Sequence, residues 1–449
     1  VSNRLNIAKF GGTSVANFEA ICNCVKVIKG NSDTRVVVVS AAGGVTNLLV
    51  ELAHHAMTHV EIQKRIDAIK DIEFKILGHL AHAEDVKEKL GVLLSELDTL
   101  AFHEEIHHTD SLKDQLLSLG ERMSSLLVAA ILNEQGQKAR NFDVRNVLKT
   151  DSVHGAATPN LALIKTQASR LLKPELADAI IVTQGFIGSD ENGMTTTLGR
   201  GGSDFSAALL AEALDADSCE IWTDVIGVYT TDPRITDQAR PIPELSFEEA
   251  AEMATFGAKV LHPATMEPAL RQNIRVFVGS SREPEKGGTW LVKDCKEEPP
   301  FRAITRRKEQ VMVTVKTPKM MYAQGFLERV FAIIAKHKLS VDLVTTSEIS
   351  VAFTLDNPAN SVAQRLNKQT ISELETMCDV TVEDGFDLVT IVGNHMQSAK
   401  GCTGKVFAAL NDIEVRMVCF GANPHNMSFL VKEAVSTQVV KGLHSVLFE

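Results

Sequence analysis

Lys9-Phe10-Gly11-Gly12-Thr13-Ser14 puts a cation, side-chain-free backbone and two hydroxyls within one short run. It follows an apolar stretch with strand character (Leu5, Ile7). It precedes Phe18, Ile21, Val25 and Ile28, whose spacing marks one face of a helix. Glycines let backbone N–H groups approach an anion, and a helix start adds unpaired donors and a partial positive charge. With Lys9 beside them, the chemistry offered is phosphate binding, although such a corner can also be a plain tight turn. A second cradle is Thr195-Thr196-Thr197-Leu198-Gly199-Arg200-Gly201-Gly202-Ser203-Asp204, which runs into an alanine-rich helix over 205–214. The plain reading is a flexible loop capped by Ser203 or Asp204. Arg200 between glycines has little to pack on, however, and its fork suits a carboxylate.

Trp222-Thr223-Asp224-Val225-Ile226-Gly227-Val228-Tyr229-Thr230-Thr231-Asp232-Pro233-Arg234 is a third segment. It reads equally as a hairpin with a structural tyrosine or as a nucleotide loop. In the latter, Tyr229 stacks on a base, Asp224 takes ribose hydroxyls and Arg234 takes phosphate. Lys259, in Phe256-Gly257-Ala258-Lys259-Val260-Leu261-His262-Pro263, lies between a helix end and a helix start. It is either solvated or the second cation on a triphosphate. Ser40-Ala41-Ala42-Gly43-Gly44-Val45-Thr46-Asn47 follows the second strand and offers hydroxyls. Leu119-Gly120-Glu121-Arg122-Met123-Ser124 breaks a buried helix with a glycine, and Glu121 beside the apolar stripe requires a cationic partner, Arg122 or a substrate ammonium. His103-Glu104-Glu105-Ile106-His107 matches a zinc-peptidase pattern. It falls in a histidine-rich segment with no evident third ligand and reads as a solvated helix face. No resident metal site is expected, and no G-x-x-x-x-G-K-[ST] loop is present.

The elements that must position these groups are legible from periodicity. Apolar runs at 36–39, 180–183, 221–223 and 275–278 read as buried strands leading into glycine- or hydroxyl-bearing turns. Their alternation with helices predicts an α/β domain with a mostly parallel central sheet, whose ligands collect at the strands' carboxyl ends. Residues 47–135 read as a helical insertion over one sheet edge, with Leu112, Leu116, Leu119, Met123, Leu126 and Leu127 as its buried stripe. Ser246-Phe247-Glu248-Glu249 is a capping box, opening a helix that should end at Gly257. Lys293–Pro300 is a polar, proline-ended linker. Beyond it a strand–glycine–helix–strand–strand unit occurs twice. The first copy comprises 311–315, Gly325, 326–337, 340–344 and 348–355; the second comprises 388–392, Gly404, 405–410, 414–419 and 426–431.

The chain has 449 residues, 44% of them hydrophobic, enough for two to four domains with real cores. A net charge of −11 argues against nonspecific nucleic-acid or anionic-membrane binding. Seven scattered cysteines without a paired motif suit a reducing, cytoplasmic setting. No eighteen-residue apolar run or charged-then-apolar leader occurs, so no membrane span is expected.

Taken together, the motifs resemble the aspartate kinases of the amino-acid kinase superfamily. The resemblance rests on KFGGTS (9–14), FDVR (142–145), QGFIG (184–188), TTTLGRGGSD (195–204), WTDV-x-GVYTTDPR (222–234) and EMATFGAKVLHPAT (252–265). The tandem C-terminal units look like ACT modules, and 325–348 looks most like the lysine-sensitive, monofunctional class. The resemblance implies a catalytic domain over 1–295 and regulatory modules over 296–385 and 386–449. The chain's length is expected to leave no room for a fused homoserine dehydrogenase.

The implied reaction is ATP- and Mg2+-dependent phosphorylation of the L-aspartate side chain, with L-lysine as feedback effector. By the same resemblance, Lys9 and Asp204 are catalytic. Gly11, Gly12, Thr223, Asp224, Tyr229, Arg234 and Lys259 hold the nucleotide with Lys9. Arg200 with Gly201 and Gly202 meets the α-carboxylate, and Glu121 the α-ammonium. Ser40, Thr46 and Ser203 position the reacting carboxylate. The effector set is Met320, Ala323, Gly325, Phe326, Leu327, Ser340, Val341, Asp342, Ser347 and Glu348, at a meeting of two subunits, which implies a homodimer or homotetramer. Ala323 departs from the serine of lysine-sensitive relatives, a loss of roughly 0.5–1.5 kcal/mol of hydrogen bonding. Threonine regulation, or a non-catalytic amino-acid sensor, are the rival readings.

Overall fold

Two compact units divide the chain in the computed structural model, which describes residues 4–258, 261, 263–321, 323–355 and 366–448. The first comprises Val1–Val228, Pro241–Ala250 and Val260–Cys295; the second comprises Tyr229–Arg240, Ala251–Lys259 and Lys296–Glu449.

The N-terminal elements are β1 (Asn6–Phe10), α1 (Phe18–Gly30), β2 (Thr34–Val39), α2 (Val45–His54), α3 (His59–Leu77), α4 (Glu84–Ala101) and α5 (Asp110–Glu134). Then come β3 (Ala139–Phe142), α6 (Leu161–Gln167), β4 (Ile180–Gln184), β5 (Ile187–Ser189), β6 (Thr195–Thr197), α7 (Gly202–Ala213) and β7 (Ser218–Thr223). β8 (Glu244–Ser246), α8 (Phe247–Thr255), α9 (Pro263–Arg271), β9 (Arg275–Ser280) and β10 (Gly288–Val292) complete the series. The central sheet has the order β3-β4-β2-β1-β7-β9-β10-β8 and is parallel except between β9 and β10. Its β-branched runs are buried on both faces, Val36 to Val39 completely, as a parallel sheet covered by helices requires.

Asn17 caps α1 through the Ala20 N–H, and Thr58 with Glu61 forms a capping box on α3. The expected box at Ser246 and Glu249 is also made in both directions. Leu116, Leu119, Met123 and Leu127 are fully buried on α5, while Leu112 and Leu126 flank the core. Two local expectations are corrected. Gly120 does not break α5; it lets the helix press against the turn after β2, where an added Cβ would meet the Ala41 Cβ at 2.6 Å. Residues 103–108 form turns after α4, not a helix face, so the two histidines of the zinc-like pattern lack helical spacing. Among the described residues no group of three or more side chains suits a metal. α5 is, among them, the one helix long and apolar enough to cross a membrane, and most of it is buried. Among the described residues Cys22, Cys24, Cys219, Cys378, Cys402 and Cys419 form no disulfide.

The second unit is built on one antiparallel sheet. Its elements are β11 (Ala303–Lys316), α10 (Phe326–Lys336), β12 (Val341–Thr346), β13 (Ser350–Leu355) and α11 (Lys368–Glu375). They continue with β14 (Asp379–Val392), α12 (Cys402–Ala409), β15 (Val415–Phe420), β16 (Asn426–Lys432) and α13 (Glu433–Phe448). The order β12-β13-β11-β14-β16-β15 joins both repeats through the two fourteen-residue strands β11 and β14. Residues 303–307 pair with 388–392, and 312–316 with 379–383, so each long strand serves both repeats. Gly325 and Gly401, at φ 73° and 79°, are the matching N-caps of α10 and α12. Gly404, expected to be the repeat's glycine, lies inside α12 instead. Within this unit the segment 229–240 is tied down by Ile304 N–H on the Thr230 carbonyl (2.7 Å) and by a buried Thr230–His444 side-chain bond (2.8 Å). Asn423 and Asn426 grip the two Glu252 oxygens at 2.6 and 2.7 Å.

Candidate active site

In-register parallel pairing brings five strand ends together: Phe10 lies opposite Val39 and Trp222, Val39 opposite Gln184, and Thr223 opposite Ser280. Just beyond these ends the turns are cross-linked. Gly11 N–H donates to Trp222 O at 3.1 Å and Ser40 N–H to Phe10 O at 3.1 Å. Ser281 N–H donates to Thr223 O at 2.9 Å, and the Ser14 and Ser281 hydroxyls lie 2.7 Å apart.

Lys9 rises from the end of β1 with only 10% of its side chain exposed, and its ammonium lies 2.5 Å from Asp204 in the first turn of α7. Asp204 is therefore a charge partner of Lys9 rather than a helix cap, and Ser203 is not the cap either. The N-cap is Gly201, at φ 72° with no side-chain cap bond. A Cβ on Gly12 would lie 2.9 Å from the Ala41 carbonyl, and one on Gly11 3.7 Å from the Lys9 ammonium. The backbone beside Lys9 is thus kept free of side chains. Gly202 is pressed on Phe186, where a Cβ would meet the ring at 2.7 Å, and Gly185 is pressed equally on Ser203.

Glu121 is buried on α5. Burial pushes its carboxyl up to about 8, opposed by the Ala41 backbone N–H and more weakly by Lys9. Of the two partners open to it in the sequence, Arg122 is excluded: its guanidinium is committed to Glu96 at 2.7 Å. Arg200 is exposed at the tip of the loop between β6 and α7. Ser40 and Ser203 are half-buried, Thr46 is exposed in the first turn of α2, and exposed Asp224 accepts from the Thr223 hydroxyl at 3.2 Å. These residues all belong to the first unit.

Tyr229 and Arg234 belong to the second. Tyr229 is half-buried rather than exposed, and Arg234 pairs with Asp232 at 2.8 Å, holding that carboxyl below its usual range. Lys259 lies outside the described residues. Sequence reasoning missed Asp114, buried on the same face of α5 as Glu121. The available signal was an acid seven residues before Glu121 in a leucine-rich helix.

The expected effector residues fall into two groups within one chain. Thr317 N–H donates to the Ile349 carbonyl and Met320 N–H to Thr317 O, so the Met320–Leu327 segment adjoins the hairpin carrying Ser347 and Glu348. Ser340, Val341 and Asp342 begin β12 at its other end, where Asp342 is ion-paired with Arg307. A six-residue strand spans about 20 Å, well beyond the reach of one amino acid. Phe326 is a core residue and Ala323 packs against the same core.

A parallel sheet with a lysine–aspartate pair and bare backbone at its carboxyl ends suits phosphoryl transfer to a small molecule. Residues 4–280 match the Amino acid kinase family, and residues 389–447 match the ACT domain. The lysine-sensitive aspartokinase 3 of Escherichia coli is 46% identical over 445 residues, covering 99% of each chain. The aspartokinase of Chlamydia pneumoniae is 34% identical, with 98% of this chain and 97% of that one covered. The crystal structure of E. coli aspartokinase III with lysine and aspartate, a T-state, superposes with TM-score 0.87 at 46% identity, covering 99% of this chain and all of that one. Its R-state complex with aspartate and ADP gives 0.86 at the same identity and coverage. The chain belongs to the amino acid kinase family and, within it, to the aspartokinases. Its chemistry is phosphoryl transfer to a carboxyl group.

Proposed function

We propose that this chain transfers the terminal phosphoryl group of ATP, bound with Mg2+, to the side-chain carboxylate of L-aspartate, and that L-lysine at the ACT modules inhibits it. The observation that carries the reading is the Lys9–Asp204 pair at the strand ends, 2.5 Å apart and beside glycine backbone. The relatives support it: an E. coli relative is named lysine-sensitive, and its structures hold aspartate with ADP and aspartate with lysine.

The nucleophile is already an anion, so no strong base is needed, and the chain's task is to position it and neutralise charge. Bound Mg-ATP would supply the phosphoryl group, with ADP as the leaving group. Lys9 offsets negative charge building on the transferred group, and Asp204 holds the Lys9 ammonium in place. The side-chain-free approach at Gly11 and Gly12 fits a polyphosphate, since a Cβ at Gly12 would crowd the turn at Ala41. Thr223 and Asp224 are assigned to the nucleotide from the same strand ends. The nucleotide roles of Tyr229, Arg234 and Lys259 rest on the sequence motifs.

Glu121 takes the substrate ammonium, the cation its buried carboxylate requires once Arg122 is committed elsewhere. Arg200 takes the α-carboxylate bidentately. Ser40, Thr46 and Ser203 orient the reacting carboxylate. For the effector, the two separated groups of the second unit call for two copies of the chain, one supplying the Met320–Leu327 end and the other the Asp342 end. A homodimer, or a homotetramer of two such dimers, is the assembly proposed, in the cytoplasm. Ala323 lacks a hydroxyl, and lysine inhibition is expected to be weaker than with serine there.

The test is ADP release with Mg-ATP and L-aspartate, titrated separately with L-lysine and L-threonine. Aspartate-dependent turnover suppressed by lysine supports the whole reading. Suppression by threonine alone reassigns the effector. No turnover, with lysine still raising the melting temperature, makes the protein a sensor.

A further inference from the structure

Asp114 is 1% exposed on α5, and its carboxylate is filled with donors. Thr197 donates its hydroxyl to Oδ1 at 2.6 Å and its backbone N–H to Oδ2 at 3.1 Å. Gly155 N–H lies 3.0 Å from Oδ2, and His154 Nδ1 donates to Oδ2 at 2.9 Å. One side chain thereby fastens α5 to the last residue of β6 and to the turn at 154–155. The two clamped segments also bond each other, with Ala157 N–H on the Thr197 carbonyl at 2.9 Å.

Thr197 opens the loop that carries Arg200. Between them stand buried Leu198 and then Gly199 at φ 76°, and after Arg200 comes Gly201 at φ 72°, so Arg200 itself is flanked by two pliable glycines and depends on the base of the loop for its placement. A Cβ on Gly199 would lie 3.3 Å from the Gly155 carbonyl, which places the other clamped turn directly under the loop. Glu121 stands seven residues beyond Asp114 on the same helix face, about two turns or 10 Å away. One rigid helix therefore fixes both the carboxylate at Glu121 and, through Asp114, the base of the Arg200 loop.

We propose that Asp114 is a positioning residue for recognition of the substrate's α-carboxylate: it sets Arg200 at a fixed distance from Glu121, as a ruler for an α-amino acid. This rests on the reading that Arg200 and Glu121 meet the carboxylate and ammonium of aspartate. Losing the acceptor should loosen the grip on the α-carboxylate and leave nucleotide binding alone.

The experiment uses the full chain and measures ADP release for wild type, Asp114→Asn and Thr197→Val. L-Aspartate and ATP are varied separately, and the α-amide of L-aspartate is compared as substrate or competitive inhibitor. Asp114→Asn should raise the KM for aspartate about tenfold or more, with the KM for ATP changed by less than about twofold. Thr197→Val, which deletes one hydroxyl donor and keeps the backbone bond, should move the aspartate KM in the same direction by a few-fold. In both variants the preference for aspartate over its α-amide should shrink, because the amide lacks the charge that Arg200 reads. An equal penalty on acid and amide, or parallel rises in both KM values, overturns the proposal by reducing Asp114 to a structural brace. If Asp114→Asn does not fold, Thr197→Val decides by the same criteria. A wild-type chain without aspartate-dependent turnover overturns the underlying reading, and that result appears before any variant is measured.

Discussion

Glu73 offers a sharp test of how burial sets charge in this fold. It lies on α3 with no exposed surface, and neither carboxylate oxygen has a hydrogen-bond partner among the described residues. Burial alone pushes its carboxyl from 4.5 up to about 8, so at neutral pH the folded chain holds it protonated. The unfolded chain releases that proton near the ordinary carboxylate value. Because the folded state binds the extra proton between the two values, stability should fall as pH rises from about 4.5 to about 8 and level off beyond. At 1.36 kcal/mol per unit, the full penalty is roughly 5 kcal/mol, of which roughly 4 develops between pH 5 and pH 9.

Glu73→Met has similar length and nothing to ionise. Its melting temperature minus that of wild type should therefore widen across that interval by about 8 °C, taking ~2 °C per kcal/mol for a unit of this size. The measurement is thermal unfolding of both proteins at matched pH values, which cancels every other titrating group. Burying fewer unpaired polar atoms should also favour Glu73→Met at pH 5, by about 1–3 kcal/mol. A gap that stays flat with pH, or narrows above pH 7, would falsify the claim that Glu73 is a desolvated, unpartnered acid.

Three further outcomes are expected. Lys9→Ala should abolish aspartate-dependent ADP release while leaving the thermal shift produced by lysine intact; normal turnover would remove Lys9 from the chemistry. Glu121, raised to about 8, must ionise to pair with an ammonium, so aspartate binding should strengthen by up to about tenfold per pH unit below that value and plateau above it. Calorimetry in buffers of different ionisation heat should then detect proton release on binding below the plateau, and Glu121→Gln should flatten the profile. Gly120→Ala drives a methyl to 2.6 Å from Ala41 Cβ and should destabilise the fold by about 1–3 kcal/mol, read as a lowered melting temperature.

The core of the catalytic unit was legible because its signals are local. Runs such as Val36–Val39 can hardly be anything but buried strands, and the box at Ser246 and Glu249 marks a helix start wherever it occurs. Lys9, Gly11 and Gly12 stood out because a cation next to bare backbone suits an anion, and their closeness in the fold follows from their adjacency in the chain. What the sequence hid depended on partners distant along the chain. Gly120 looked like a helix breaker, and only the approach of Ala41 explains why the helix continues through it. Arg122 looked available to Glu121 until Glu96 claimed it. Asp114 is one more acid in an amphipathic helix until Thr197, 83 residues later, is seen to bond it. In the second unit the repeat was readable as a linear succession, whereas the sharing of β11 and β14 between its copies is a matter of register. Gly401 was passed over for Gly404 because a positive φ leaves no mark on composition.

The sharing of those two long strands has a consequence for how the chain comes off the ribosome. Residues 303–307 have their partners at 388–392, so the first strand of the second unit must wait through more than eighty residues of synthesis before half its ladder can close. The segment at 229–240 waits longer still, since Thr230 is held by Ile304 and by His444 on the final helix. A nascent chain can therefore assemble the central sheet early while this loop, flanked by catalytic-unit sequence, gains its bond to Ile304 first and its bond to His444 only once α13 emerges. Without α13 the Thr230 hydroxyl has no His444 to bond, so one of the two ties on this segment depends on a helix made after both repeats.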